Sequence, residues 1–209
     1  MKLKVCGMRD AENIKELIKL QPDFIGFIFY KKSTRNVSVF PKVTIPASIK
    51  KVGVFVNETL NYVTAVVGMH ALNCVQLHGG ESPEYCVSLR EMMPSNIQII
   101  KAFPVDAAFD FSQLKKYETP VDYFLFDTKG DKVGGNGVVF DWSLLKKNRS
   151  KKPFLLSGGL GEDSVSELQE FLKTSLSDNC IAWDVNSKFE IHPGLKDIDK
   201  IKEFKEKLV

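Results

Sequence analysis

The chain predicts an α/β fold, a single-domain (βα)8 TIM barrel over residues 1–209, with its second helix shortened or missing. Three observations carry this reading. Eight short β-rich runs recur at a nearly regular interval, and helical patterns lie between them. The turn after the first run, Cys6-Gly7-Met8-Arg9-Asp10, lacks the G-x-G-x-x-G that an open, nucleotide-binding doubly wound sheet would place there. Eight units in 209 residues are close to the lower bound of roughly 200 residues for such a barrel.

The runs are Leu3–Cys6, Phe24–Ile28, Val52–Val56, Cys74–Leu77, Ile97–Ala102, Tyr123–Phe126, Phe154–Leu156 and Ile181–Trp183. They are mostly apolar without clean alternation, as strands buried on both faces should be. After the first, Ile14, Leu17 and Ile18 follow helical spacing. After the second, Pro41, Pro46 and several β-branched residues between Arg35 and Lys51 oppose a regular helix. Ser82-Pro83 places a cap and then a proline at the first helical position. After the seventh run, Ser164-Val165-Ser166-Glu167 has the form of a capping box, ahead of Leu168, Phe171 and Leu172. Asp197 opens a last helix carrying Ile198, Ile201, Phe204 and Leu208.

Composition bounds the function. With 44% hydrophobic and 26% charged residues the chain reads as globular. Twenty-nine basic and 26 acidic residues leave a net charge of +3, too small a surplus for nucleic-acid binding as the main task. No apolar run reaches the roughly 18–20 residues that span a bilayer, and the N-terminus has no export signal. A cytoplasmic protein with no membrane partner is therefore expected. Cys6, Cys74, Cys86 and Cys180 form no C-x-x-C pair, so reduced thiols are expected and no metal site.

In a barrel of this type the chemistry sits at the C-terminal ends of the strands. That rule selects Cys6 after the first strand and Asp127 after the sixth. A lone Cys is more often a small core hydrophobe, and an Asp at a strand end is about as often a cap or loop ion pair. Placed across one rim, however, a thiolate and a carboxylic acid would remove a proton at one atom and deliver one at another, as an isomerase requires. Gly158 and Gly159, after Ser157, lie between the seventh strand and its helix, where glycines let backbone N–H groups approach a phosphate. Asn186 and Ser187 add donors from the eighth strand. Arg35 is the candidate clamp for a carboxylate, which guanidinium meets with two parallel hydrogen bonds; the alternative is a solvated loop arginine beside Lys31 and Lys32. His78 reads as a packed, hydrogen-bonded histidine under the mouth. Trp142 and Trp183 read as core, and His70 and His192 carry no role.

These residues also carry a family likeness. In order come Lys4-Val5-Cys6-Gly7-Met8, Gly26-Phe27-Ile28-Phe29 with Ser33-x-Arg35, Val52-Gly53-Val54-Phe55-Val56-Asn57, and Val75-Gln76-Leu77-His78-Gly79. Then follow Phe124-Leu125-Phe126-Asp127-Thr128, Gly134-Gly135-x-Gly137-x-x-Phe140-Asp141-Trp142, Leu156-Ser157-Gly158-Gly159-Leu160, and Asp184-Val185-x-Ser187 with Glu190, Pro193-Gly194 and Lys196-Asp197. Over essentially its full length the chain resembles the phosphoribosylanthranilate isomerase family of tryptophan biosynthesis. The resemblance implies an Amadori rearrangement of N-(5-phosphoribosyl)anthranilate to 1-(2-carboxyphenylamino)-1-deoxyribulose 5-phosphate, without cofactor or metal. It implies Asp127 as general acid and Cys6 as general base. Arg35 would hold the anthranilate carboxylate, Asp184 would contact the ligand's polar groups, and the Gly159 and Ser187 region would bind phosphate. The small-molecule substrate is then the partner of the chain, expected as a monomer with a homodimer as the alternative.

Two departures stand out. Asn186 and Lys188 flank Ser187 where the family has serine and glycine, so Lys188 would be strained if its position needs positive φ, yet would add a cation beside the phosphate. Val138-Val139 replaces a basic or small polar residue. Rival readings are another phosphate-binding barrel enzyme, with catalytic lysine and glutamate or with a metal, and a non-catalytic phosphosugar-binding barrel.

Overall fold

All eight apolar runs form parallel strands that pair in chain order, and the first closes on the eighth. The computed structural model describes residues 1–128 and 141–208. The strands are β1 (Lys2–Val5), β2 (Phe24–Ile28), β3 (Lys50–Phe55), β4 (Cys74–Leu77), β5 (Gln98–Val105), β6 (Tyr123–Thr128), β7 (Phe154–Leu156) and β8 (Cys180–Val185). Cys6 falls one residue beyond β1, but its N–H still donates to the Val185 carbonyl at 2.9 Å.

Side chains alternate across a strand, so every second residue points into the barrel. Phe24, Val52, Cys74, Ile100, Ala102, Leu125, Leu155 and Ala182 fill its interior as one apolar cluster. The opposite faces pack on the surrounding helices in a second, larger cluster. Each fully buried Val, Leu, Ile or Phe contributes about 1.5–3 kcal/mol. Below this plug Lys50 donates to Gln98 and Gln98 to Tyr123; above it, at the C-terminal ends of the strands, Cys6, Gln76, Asp127 and Asp184 line an open pocket.

The helices begin where the side chains can cap them. They are α1 (Ala11–Lys19), α2 (Leu60–His70), α3 (Pro83–Met92), α4 (Val165–Leu172) and α5 (Ile198–Leu208). Asp10, Thr59 and Ser82 each accept the backbone N–H three residues on, and Asp197 does the same for Lys200. No helix lies between β2 and β3. The proline-bearing segment instead lays Phe40 against Phe27, with ring centroids 4.8 Å apart, and stacks it on His70 at 4.2 Å.

Two local expectations are corrected and one element is added. The connections after β5 and β6 contain 3-10 helices, Phe111–Tyr117 and Trp142–Lys147, started by Asp110 and Asp141. Ser164 does not cap α4 through its hydroxyl, because that oxygen accepts the Gly161 N–H at 3.2 Å from within a 3-10 turn, Glu162–Ser164, inserted ahead of the helix. Beyond β8 the chain adds a small antiparallel hairpin, β9 (Glu190–His192) and β10 (Leu195–Lys196), which no pattern in the sequence announces. Trp142 and Trp183 are buried as expected. Among the described residues, no helix is long and apolar enough to cross a membrane.

Candidate active site

One pocket opens at the C-terminal mouth of the barrel. Cys6, Arg35, Asp127, Gly158, Gly159, Asp184, Asn186 and Ser187 all line it, as do Gln76 and His78.

Cys6 sits in its wall, 5% exposed. A Cβ on Gly26 would lie 2.8 Å from its Sγ, so the neighbouring strand must carry glycine there to admit the thiol. Lys4, one inward step below on β1, is fully buried and donates to Asp184 Oδ1 at 2.8 Å. The other Asp184 oxygen accepts from Ser157 Oγ at 3.4 Å. Asp184, expected to contact a ligand, lines the pocket while its carboxylate also holds Lys4 and Ser157. Burial pushes the Cys6 thiol above its ordinary value, against the pull of the Lys4 and Lys196 ammonium groups. Burial alone would lower Lys4, but Asp184 and Cys6 hold its ammonium above the usual lysine value. Burial thus favours the thiol form of Cys6, beside the Lys4 ammonium.

Asp127 faces this wall from β6. Its Oδ1 accepts the Thr128 N–H at 2.9 Å, and its Oδ2 lies 3.2 Å from His78 Nε2. The other ring nitrogen, Nδ1, meets the Gln76 side-chain amide nitrogen at 2.9 Å. With that amide orientation Gln76 donates to Nδ1, which turns Nε2 toward the Asp127 carboxylate. Among the described residues Gln76 Oε1 is buried without a hydrogen-bond partner. His78 is hydrogen-bonded as expected, to Gln76, and it also lines the pocket with Nε2 beside the candidate acid. Gly158 adopts φ +91°, and a Cβ there would lie 2.4 Å from Thr128 N and 2.8 Å from Asp127 Oδ1. Only glycine fits beside the carboxylate.

Arg35 is neither free nor a solvated loop arginine. Its side chain is 15% exposed and forms a two-pronged pair with Glu190, Nη2 to Oε2 being 2.6 Å. Glu190 also accepts from Lys196, whose ammonium reaches Asn186 Oδ1 at 2.6 Å. Asn186 was expected as a donor, and its side-chain oxygen accepts here.

Gly158 and Gly159 both have positive φ, +91° and +67°, and such a turn leaves amide N–H groups open to an anion. The 3-10 turn after them separates the pair from α4, so the helix terminus does not follow directly. Ser187 opens another 3-10 turn, Ser187–Phe189. Lys188 is not at positive φ, and its ammonium is paired with Asp163 at 2.6 Å, so it is not a spare cation for phosphate. Gly134, Gly135, Gly137 and Val138-Val139 lie outside the described residues.

Lys4, Gly26, Gln76, Glu190 and Lys196 stand in the family motifs, but reasoning from the sequence gave them no role. Alternation carried a signal for two of them, since Lys4 shares the inward face of Cys6, and Gln76 that of His78.

A profile of the N-(5'-phosphoribosyl)anthranilate (PRA) isomerase family matches residues 3–207. The N-(5'-phosphoribosyl)anthranilate isomerase of Parabacteroides distasonis is 44% identical over 209 residues, covering 98% of this chain and 91% of the relative. A phosphoribosyl anthranilate isomerase solved in complex with reduced 1-(o-carboxyphenylamino)-1-deoxyribulose 5-phosphate superposes with a TM-score of 0.79 at 32% identity, covering 100% of this chain and 98% of that one. A structure of monomers made from the dimeric enzyme of Thermotoga maritima gives a TM-score of 0.74 at 31% identity, with 100% and 98% covered.

Proposed function

The chain belongs to the N-(5'-phosphoribosyl)anthranilate isomerase family, and from that premise we propose how its residues divide the work. It is an isomerase of tryptophan biosynthesis. Its substrate, N-(5-phosphoribosyl)anthranilate, rearranges to 1-(2-carboxyphenylamino)-1-deoxyribulose 5-phosphate.

Asp127 gives its proton to the furanose ring oxygen. The C1′–O bond breaks while the anilino nitrogen lone pair forms an iminium. Cys6, as thiolate, takes the proton from C2′, and the electron pair flows through C1′=C2′ to neutralise nitrogen. The resulting enolamine moves its C2′ hydroxyl proton to C1′ and becomes the ketone. Arg35 holds the anthranilate carboxylate, Gly158, Gly159 and Ser187 hold the phosphate, and Asn186 borders them. Asp184 acts from behind, keeping Lys4 charged under Cys6.

The observation that carries this reading is that the Cys6 thiol and the Asp127 carboxyl enter one pocket from the ends of β1 and β6, the Lys4–Asp184 ion pair lying beside the thiol and His78 beside the carboxyl. An ordinary thiol is only a few per cent ionised at pH 7, and burial lowers that fraction here. Lys4 and the positive iminium supply the charge that favours the thiolate when it is needed. Residues 1–209 are read as one catalytic domain of a cytoplasmic enzyme, acting on this small molecule with neither nucleic acid nor membrane as partner. A monomer is the expected state in solution, which sedimentation at assay concentration tests.

Cys6→Ser and Asp127→Asn should each lose about 10²–10⁴ in kcat while affinity for the reduced product changes little. Turnover near the wild-type rate in either variant removes the role assigned to that residue.

A further inference from the structure

The Arg35 guanidinium is held by a buried chain of charges. Its Nε donates to both Glu190 oxygens, at 2.9 and 3.0 Å, and Nη2 donates to Oε2 at 2.6 Å. Glu190 Oε1 accepts Lys196 Nζ at 2.7 Å and the Gly194 N–H at 3.0 Å. Lys196 Nζ also donates to Asn186, to Oδ1 at 2.6 Å and to the main-chain carbonyl at 3.2 Å. Lys196 is 1% exposed. Arg35 and Asn186 come from opposite ends of the chain, and the hairpin β9–β10 joins them. That hairpin is anchored on α1, where Asn13 donates to the Lys196 carbonyl at 2.8 Å and accepts its N–H at 2.7 Å.

Glu190 uses the Nε–H and one Nη2 hydrogen of Arg35, and leaves the Nη1 pair and one further hydrogen for a ligand. An unrestrained arginine has many rotamers that a ligand must freeze on binding. Glu190 has already selected one. It would also cancel the arginine's charge, but Lys196 adds a second cation, and the trio keeps one net positive charge.

Resting on the reading of Arg35 as the carboxylate clamp, we infer that Glu190 and Lys196 are positioning residues for recognition of the anthranilate ring. Glu190 sets the angle at which Arg35 presents its open edge. Lys196 keeps the cluster cationic despite Glu190. Glu190→Gln separates the two effects: it releases Arg35 and leaves Lys196 without its carboxylate, so the buried ammonium loses its proton and the net charge stays at one. Lys196→Met keeps the Arg35–Glu190 geometry but removes the surplus charge.

The test uses two unreactive ligands, the reduced product and a phenylamino counterpart lacking only the carboxylate. Calorimetric affinities are measured at pH 7 for wild type, Arg35→Met, Glu190→Gln and Lys196→Met, with kcat and KM for each. Wild type should prefer the carboxylate ligand, and Arg35→Met should erase the preference. Glu190→Gln and Lys196→Met should each weaken the carboxylate ligand about tenfold and the counterpart by less than about twofold, with KM rising more than kcat falls. Glu190→Asp should restore part of the loss. If both variants weaken the two ligands equally, or neither, while Arg35→Met erases the preference, the positioning roles fall and the clamp stands. If Arg35→Met keeps the preference, the clamp itself falls. Should Lys196→Met not fold, the near-isosteric Glu190→Gln decides alone.

Discussion

His78 Nε2 lies 3.2 Å from Asp127 Oδ2, and the ring that carries it is oriented by Gln76 on its far side. The Asp127 carboxyl therefore cannot rotate freely, since its other oxygen accepts the Thr128 amide. A proton leaving Oδ2 or Oδ1 does so from a fixed plane. His78→Asn, which shortens the donor, should lower kcat about 10- to 100-fold with KM within a few-fold of wild type. Steady-state kinetics check this, and unchanged kcat would reduce the contact to packing.

Much of this arrangement was legible because strand ends are local features. The run Tyr123–Phe126 followed by Asp127 puts a carboxyl at the rim wherever the barrel closes, and Cys6 follows from the same rule. Partners across the barrel are different. Lys4 meets Asp184 because β1 and β8 pair in the register Lys4↔Asp184, and closure sets that register over 180 residues. Glu190 and Lys196 sit on strands of three and two residues, too short for any periodic signal. The glycines of the family likeness acquire physical reasons only from their neighbours. A Cβ on Gly79 would fall 2.5 Å from Asn57 Oδ1, as one on Gly26 would crowd Cys6. The 3-10 helices after β5 and β6 were hidden because a short apolar pattern does not distinguish them from a turn of α-helix.

Gly26→Ala should damage catalysis more than stability. The added methyl would lie 2.8 Å from Cys6 Sγ and 3.0 Å from its Cα, so the thiol must turn or β1 and β2 must part. Overpacking of this kind costs about 1–3 kcal/mol, and kcat should fall more than about tenfold, because misplacing a reacting group is expensive. Gly68→Ala in α2 is the control. Its Cβ would meet nothing within 4 Å, and the exchange should stabilise by about 0.5–1 kcal/mol. Melting temperatures and kcat of the pair check both directions; normal turnover in Gly26→Ala would mean the thiol tolerates displacement.

A second buried pair holds the loops after β3 and β4. Lys101 Nζ lies 3.1 Å from Glu81 Oε2, with side chains 3% and 1% exposed, and Glu81 accepts the Asn57 and Gly79 amides. Lys101→Met leaves that carboxylate buried without its cation, which should cost about 3–5 kcal/mol. Adding Glu81→Gln should recover part of the loss, because both charges are then gone. Urea unfolding of the two variants measures this. A double variant less stable than Lys101→Met would mean the Glu81 hydrogen bonds, not the charge balance, dominate.

The pH dependence of stability should reveal the buried ammonium of Lys196. Burial pushes it down to about 8 from the ordinary 10.5, against the pull of Glu190. Asn186 oxygens also face it, Cys6 favours its charge and Arg35 opposes it. Because the native state releases this proton more readily than the unfolded chain, the unfolded chain binds more protons between about pH 8 and 10.5. This group's contribution to stability therefore rises with pH across that window, by on the order of 3 kcal/mol. Buried thiols act in the opposite sense, since burial raises Cys74 and Cys180 to about 12 and folding favours their protonated forms. The quantity to follow is thus the difference in unfolding free energy between wild type and Lys196→Met, measured by urea titration under reducing conditions from pH 7 to 10.5. That difference should climb in favour of wild type as pH increases. A flat difference would mean that Glu190 offsets the burial and leaves the native ammonium titrating as it does in the unfolded chain.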